Sequence, residues 1–116
     1  MLHQTEHFKL VWDIDPIQTG HLLIISKDHF TSLAELSLPV LHELAELEQK
    51  ITILMEQHRP INGVTLARND KELMDTGTHS HSHLIPRRKD DGFWDTIKLP
   101  LLSHSLSTFE QSMRSL

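Results

Sequence analysis

His79, His81 and His83 occupy alternate positions in the run Thr78-His79-Ser80-His81-Ser82-His83-Leu84-Ile85-Pro86-Arg87. Strand side chains alternate between faces, so a strand here puts three imidazoles in a row on one face. Neighbouring rings would then lie about 6.6 Å apart, two strand rises. Such a row contributes little to a core, because each ring carries polar nitrogens that need partners. It can instead present nitrogens to a bound molecule. Paired His-x-His on a strand suits zinc, and an imidazole nitrogen can attack phosphorus. A histidine-rich tract of no consequence is the third alternative.

At 116 residues the chain reads as one domain, residues 1–116, with a single modest core. No stretch approaches the length of a membrane span, so no membrane partner is expected. The opening Met1-Leu2-His3-Gln4-Thr5-Glu6-His7 lacks a basic region followed by an apolar run, so no signal peptide is expected either. The absence of cysteine excludes a disulfide framework and a cysteine-bearing zinc site. These features together suit a small cytoplasmic protein. A formal net charge of −5 argues against a nucleic-acid-binding surface, which wants a basic face. The ten histidines would reverse that charge if all were protonated, so it should depend strongly on pH near neutrality.

The elements follow from periodicity. His7 to Ile14 predicts a strand, with Phe8, Leu10, Trp12 and Ile14 on one face. Pro16 to Gly20 reads as a turn and His21 to Ser26 as a buried strand, together a hairpin. Residues 38–58 predict a helix with the apolar stripe Leu41, Leu44, Leu47, Ile51, Leu54 and Met55, read as core packing. Ser37 is its candidate N-cap, Pro39 is tolerated in its first turn, and Arg59-Pro60 ends it. Asn62-Gly63 reads as a turn and Val64 to Arg68 as another strand, with the histidine strand following after a loop. From Ser103 the tail predicts a weaker helix with Leu102, Leu106, Phe109 and Met113 on one side, able to dock on the domain or on a partner subunit. Strands with one main helix packed on them predict an α+β fold.

The run His79-Ser80-His81-Ser82-His83-Leu84-Ile85-Pro86-Arg87 resembles the signature of the histidine triad family. Upstream, Asp13-Ile14-Asp15-Pro16 and Gly20-His21-Leu22-Leu23-Ile24-Ile25-Ser26-Lys27-Asp28-His29 resemble that family's second block at a compatible distance. Asp90-Asp91-Gly92-Phe93-Trp94 is similar to a tail found in some bacterial members. The core motifs run from residue 9 to 94, with a helical tail over 102–116. The resemblance implies an antiparallel sheet with one long helix packed on it and a short C-terminal helix. It also implies a homodimer.

It implies a chemistry as well. His81 would attack the α-phosphorus of a nucleotide and displace the leaving group, and water would then hydrolyse the nucleotidyl-histidine. His81 must then be unprotonated on the attacking nitrogen, with the other nitrogen held as a donor. The resemblance has His83 bonding phosphate or leaving-group oxygens and His79 positioning its neighbours. His29 matches a fourth histidine close to the triad, and Asp13 matches an acid that binds ribose hydroxyls. Trp12, Val11 and Ile14 are candidates for a base pocket. Asn69 and Thr76 match polar groups that help hold phosphate. The implied substrate is a nucleoside monophosphate joined to another nucleotide, an amine or a sugar. His83 itself favours hydrolysis, since the transferase branch has glutamine there. No bound metal is required, and magnesium is expected only as the companion of a polyphosphate substrate.

Two departures stand out. Asp75 stands where the family has glutamine, and an acid near an anionic phosphate is unfavourable unless it points away. Ser80 and Ser82 replace apolar residues, and buried serines need hydrogen-bond partners. Two alternatives therefore stay open: a nucleotide-binding module without useful turnover, and a metal site built from His79, His81, His83 and His29.

Overall fold

The computed structural model describes every residue except Arg59, Thr76 and Gly77. Its centre is a five-stranded antiparallel sheet: β1 (His3–Gln4), β2 (Phe8–Trp12), β3 (Leu22–Ser26), β4 (Gly63–Arg68) and β5 (His81–Arg87), in the order β1-β2-β3-β5-β4. The single long helix, α1 (Leu38–His58), links β3 to the far edge strand β4 across the back of the sheet. The fold is thus the α+β arrangement the sequence predicts.

The β2–β3 hairpin forms as expected, with Leu10 opposite Ile24 and Trp12 opposite Leu22. Gly20 at φ 90° supplies the left-handed turn residue that closes it. The first strand is shorter than predicted: it stops at Trp12, and Asp13 opens a turn in which its Oδ1 accepts from the Asp15 amide at 2.8 Å. β1 was not expected; Leu2 to Gln4 is drawn onto β2 through pairs such as His3 with Leu10.

The core lies between one sheet face and α1. Phe8, Leu10, Leu22, Ile24 and Leu84 meet Val40, Leu44, Leu47, Ile51 and Met55. The helical stripe is rotated from the one predicted: Val40 is buried, Leu41 only partly so, and Leu54 is 54% exposed. Val40, Leu44, Leu47, Ile51 and Met55 follow 3.6-residue spacing more closely than a row that includes Leu54. The expected helix stop at Arg59-Pro60 falls partly outside the described residues, although α1 ends at His58.

Two contacts tie the helix to the sheet with polar groups. Glu43 accepts from Thr5 Oγ1 at 2.6 Å and from the His7 amide at 2.8 Å, and pairs with His7 Nδ1 at 2.8 Å. Glu48 hydrogen-bonds Ser82 from the core side, and burial pushes its carboxyl above the usual range. That bond answers one of the partner requirements of the two serines, which are buried facing α1.

Beyond β5 the chain is largely exposed. The C-terminal helix α2 is confined to Ser107–Arg114, four residues later than the predicted start. Leu106 at its N-cap and Phe109 and Met113 along it remain exposed.

Candidate active site

Strand alternation divides β5. Leu84 faces the core, whereas His81 and His83 project from the opposite face, beside Ile25 and Leu23 of β3. His79 precedes the strand, but the Ser80 amide donates to Phe30 O at 3.0 Å and Ser80 O accepts from Ser26 N at 2.9 Å. The local ladder therefore carries the alternation back to His79. All three rings line one pocket of about 570 Å³. Its walls add Asp13, Ile14 and Asp15 from the hairpin turn, Leu23 and Ile25 from β3, and Asp75 and Thr78 from the loop before β5. The rings of His81 and His83 are 5.0 Å apart and inclined at 65°, so they lean together rather than stand at the 6.6 Å ladder spacing.

Hydrogen-bond partners assign the tautomers. His81 Nδ1 lies 2.9 Å from the His79 carbonyl and His79 Nδ1 lies 3.0 Å from the Ser26 carbonyl. A carbonyl only accepts, so each ring in its neutral form carries its proton on Nδ1 and keeps a lone pair on Nε2. His83 is the reverse case, and the residue responsible is His21. The Ile17 amide donates to His21 Nδ1 at 3.1 Å, so the proton of neutral His21 sits on Nε2. That atom lies 2.9 Å from His83 Nδ1 and 3.3 Å from Asp13 Oδ2. His83 Nδ1 therefore accepts, and its Nε2 carries a hydrogen.

Burial supports neutral rings at this end of the row. It lowers the pKa of His83, helped by His81 and His21 and opposed by the Asp13 carboxylate. Burial also lowers His21, again against Asp13. His21 is 2% exposed and anchors the site from beneath. The sequence pattern places it at the start of a buried strand and does not mark it as a site residue. A polar ring opening an apolar run, just after a turn glycine, is the signal that could have done so.

The other sequence candidates divide. Asp13 and Ile14 line the pocket, and Asp13 also caps its turn as a plain loop aspartate would. His29 is exposed, with its ring 5.3 Å from that of His79 and outside the pocket lining. Trp12 is 53% exposed and, like the exposed Asn69, is not part of the lining. Trp12 follows Phe8 and Leu10 in strand alternation, which turns it to the helix side. Thr76 lies outside the described residues.

Among the described residues, the groups whose ligand atoms gather within 4.8 Å are Asp13–His21–His83 and Glu6–His7–Glu43. Neither is the set His79, His81, His83 and His29. In the first group His21 Nδ1 already accepts a proton-bearing amide, so its Nε2 holds a hydrogen where a metal would need a lone pair.

The HIT domain family's sequence pattern matches residues 1–90. The "Protein hit" of Bacillus subtilis is 30% identical over 100 residues, 82% of this chain and 69% of that protein. The bis(5'-adenosyl)-triphosphatase of Dictyostelium discoideum is 33% identical over 85 residues, 72% of this chain and 56% of that protein. The nitrilase and fragile histidine triad fusion protein NitFhit of Caenorhabditis elegans is 27% identical over 105 residues, 90% of this chain but only 24% of its own length. This chain thus spans less than two thirds of two of these three relatives. In fold it is similar to the crystal structure of a HIT family protein from Bacillus subtilis, with a TM-score of 0.74 and 23% identity over 98% of this chain and 84% of that one. With the family match running through both histidine-bearing segments and the sheet superposing on a HIT protein, this chain belongs to the HIT domain family, the histidine triad proteins.

Proposed function

We propose that the protein hydrolyses nucleoside monophosphate derivatives at the α-phosphate through a covalent nucleotidyl-histidine at His81. The observation that carries this reading is the set of hydrogen bonds along the histidine row, which fixes where each neutral ring would hold its proton. His81 offers an Nε2 lone pair because its Nδ1–H is held by the His79 carbonyl. Beside it His83 offers an Nε2–H, a donor for a phosphoryl oxygen, because His21 holds its other nitrogen. A nucleophile next to a fixed donor is what displacement at phosphorus requires.

The rest of the pocket suits a nucleoside. Ile14, Leu23 and Ile25 give an apolar wall for a base, and the Asp13 carboxylate can accept from ribose hydroxyls. His79 would position the row through its bond to Ser26 O, and His29 would act only through His79. The triphosphatase relative supports the same class of substrate. The reaction as read needs no resident metal. The working unit would be a homodimer, and the outer edge of β4 is open for such pairing.

The test is hydrolysis of adenosine 5′-phosphoramidate and diadenosine triphosphate by wild-type and His81→Ala protein, with a chelator present. Turnover by the wild type alone, with a trapped phosphorus–histidine adduct, is expected. Nucleotide binding without turnover would instead identify a binding module, and activity abolished by the chelator a metal site.

A further inference from the structure

Behind the histidine row, on the helix side of the sheet, polar side chains form a second group. Ser82 stands between His81 and His83 on β5, with its side chain on the opposite face. It is 4% exposed and sits opposite Ile24 of β3 and Arg68 of β4. Its hydroxyl donates to the Glu48 carboxylate of α1. Glu48 follows Leu47 and lies one helical turn from Leu44 and Ile51, all three of them buried. A carboxylate on the flank of an apolar stripe is costly unless it is partnered. Burial does push Glu48 up, against the pull of Ser82 and of Arg68.

The group continues sideways. Arg68 donates to Asp70 through Nε at 2.9 Å and through Nη2 at 3.2 Å. Asp70 also accepts from the Leu33 amide at 3.5 Å. The chain then runs on to Asp75 and Thr78, which form part of the pocket wall. Ser82, Glu48, Arg68 and Asp70 thus connect the back of β5, α1 and the root of the loop before β5. None of the four lines the pocket itself.

Backbone ladders with β3 and β4 fix β5 within the sheet. They leave its height over α1 to the side chains that fill the gap. At Leu84 that side chain is apolar, whereas at Ser82 the gap is bridged by a hydrogen bond. The neighbours of Ser82 on either side are the proposed nucleophile and its phosphate donor, and such a row tolerates only roughly 0.5 Å of displacement. We propose that Glu48 is a positioning residue: by holding the Ser82 hydroxyl it sets how far His81 and His83 stand into the pocket. Ser82 takes the place of the apolar residue in the histidine triad signature, so here a matched polar pair replaces a packing contact. The inference rests on the hydrolase reading for its kinetic consequence and on the Glu48–Ser82 bond for its geometric one.

The experiment reads the rings and the rate in Glu48→Leu, Glu48→Gln, Ser82→Val and the double variant Glu48→Leu/Ser82→Val, each checked as folded by circular dichroism. The imidazole signals of His81 and His83 in a two-bond proton–nitrogen spectrum report the rings directly. Steady-state hydrolysis of adenosine 5′-phosphoramidate reports their use. Glu48→Leu and Ser82→Val should each shift both rings and lower kcat by roughly 3–10-fold, the span of one hydrogen bond's net contribution, with KM little changed. Glu48→Gln, whose amide oxygen still accepts from Ser82, should recover most of both. The double variant should be no slower than the slower single one, because the two groups act as a pair. Ser82→Ala, which only removes the hydroxyl, takes the place of either single variant that does not fold. Rings and kcat unmoved in a folded Glu48→Leu, a Gln variant no better than Leu, or single effects that multiply in the double variant overturn the inference. If the wild type turns over no substrate the hydrolase reading falls, and the ring signals alone then decide whether Glu48 positions the row.

Discussion

Replacing His21 tests the internal logic of the site more sharply than replacing any triad histidine. The ring makes three contacts: it accepts from Ile17 N at 3.1 Å, and its Nε2 is 2.9 Å from His83 Nδ1 and 3.3 Å from Asp13 Oδ2. His21→Leu fills similar space but offers none of these. Ile17 is exposed, so its amide can turn to water. His83 Nδ1 is then left beside a methyl group, where an unmet buried acceptor costs about 1–3 kcal/mol. The cheapest escape is for His83 to move its proton to Nδ1 or to rotate, and either takes the Nε2 donor away from phosphate. A loss of that size in transition-state stabilisation corresponds to roughly a 5–150-fold fall in rate. Because the donor matters most as charge develops, kcat should carry the fall and KM should change little. His21→Gln, whose amide can both accept and donate, should restore part of it. The assay is steady-state hydrolysis of a nucleoside phosphoramidate, with circular dichroism confirming a folded variant. A folded His21→Leu protein with wild-type kcat, or a Gln variant no better than Leu, would refute the assigned proton pattern.

Other outcomes follow from the same structure. Leu84→Ala empties a side chain with no exposure and should cost about 2–5 kcal/mol, read as a fall in denaturation midpoint at unchanged slope. Gly92→Ala meets no clash, its nearest neighbour being Asp95 Oδ2 at 3.8 Å, yet φ of +78° should still cost about 1–2 kcal/mol in chemical denaturation. The His7–Glu43 pair should give a pH window: Glu43 lies below its ordinary 4.5 chiefly against the cost of burial, through bonds from His7 and Thr5, and His7 lies above 6.5 through its bond to Glu43. Its stabilisation is full between the ordinary values of 4.5 and 6.5, is lost as pH falls through the lowered value of Glu43 and is lost as pH rises through the raised value of His7. Thermal melts of His7→Gln should therefore differ least from wild type at alkaline pH. His21 and His83 act oppositely, since both are lowered by burial: their contribution is present above 6.5 and declines as pH falls below it.

What could be read from residue order alone depended on whether a pattern had one physical cause. The β2–β3 hairpin and the length of α1 were legible because apolar alternation, a turn glycine and helical spacing all agree there. The rotation of α1 was not, because Leu41 and Leu54 are as apolar as Val40 and only packing against Leu22 and Ile24 decides between them. The histidine face of β5 was legible through period-two alternation. His21 was not, because its role depends on a ring from a strand 62 residues later in the chain. Trp12 was a candidate for the base pocket and Asn69 a match to a phosphate-binding position, yet neither lines the pocket: one is turned away by alternation along β2, the other lies just past the end of β4.

Ser82 of β5, with Ser80 just before it, has a consequence for how the strand is held in place. At its start the strand is polar on both sides, with Ser82 and the preceding Ser80 toward the helix and His81 and His83 toward the pocket. A one-residue slip there would exchange hydroxyls for imidazoles, with no greasy side chain to resist it. The second half is different: Leu84, Ile85 and Pro86 are all buried, and Leu84 sits opposite both Leu22 and Leu66. The strand therefore resembles a ruler clamped at one end, with its graduations used at the other. Damage to the clamp should misplace the histidines before it unfolds the domain, so a variant such as Leu84→Val can lose alignment while the protein still melts as a single cooperative unit.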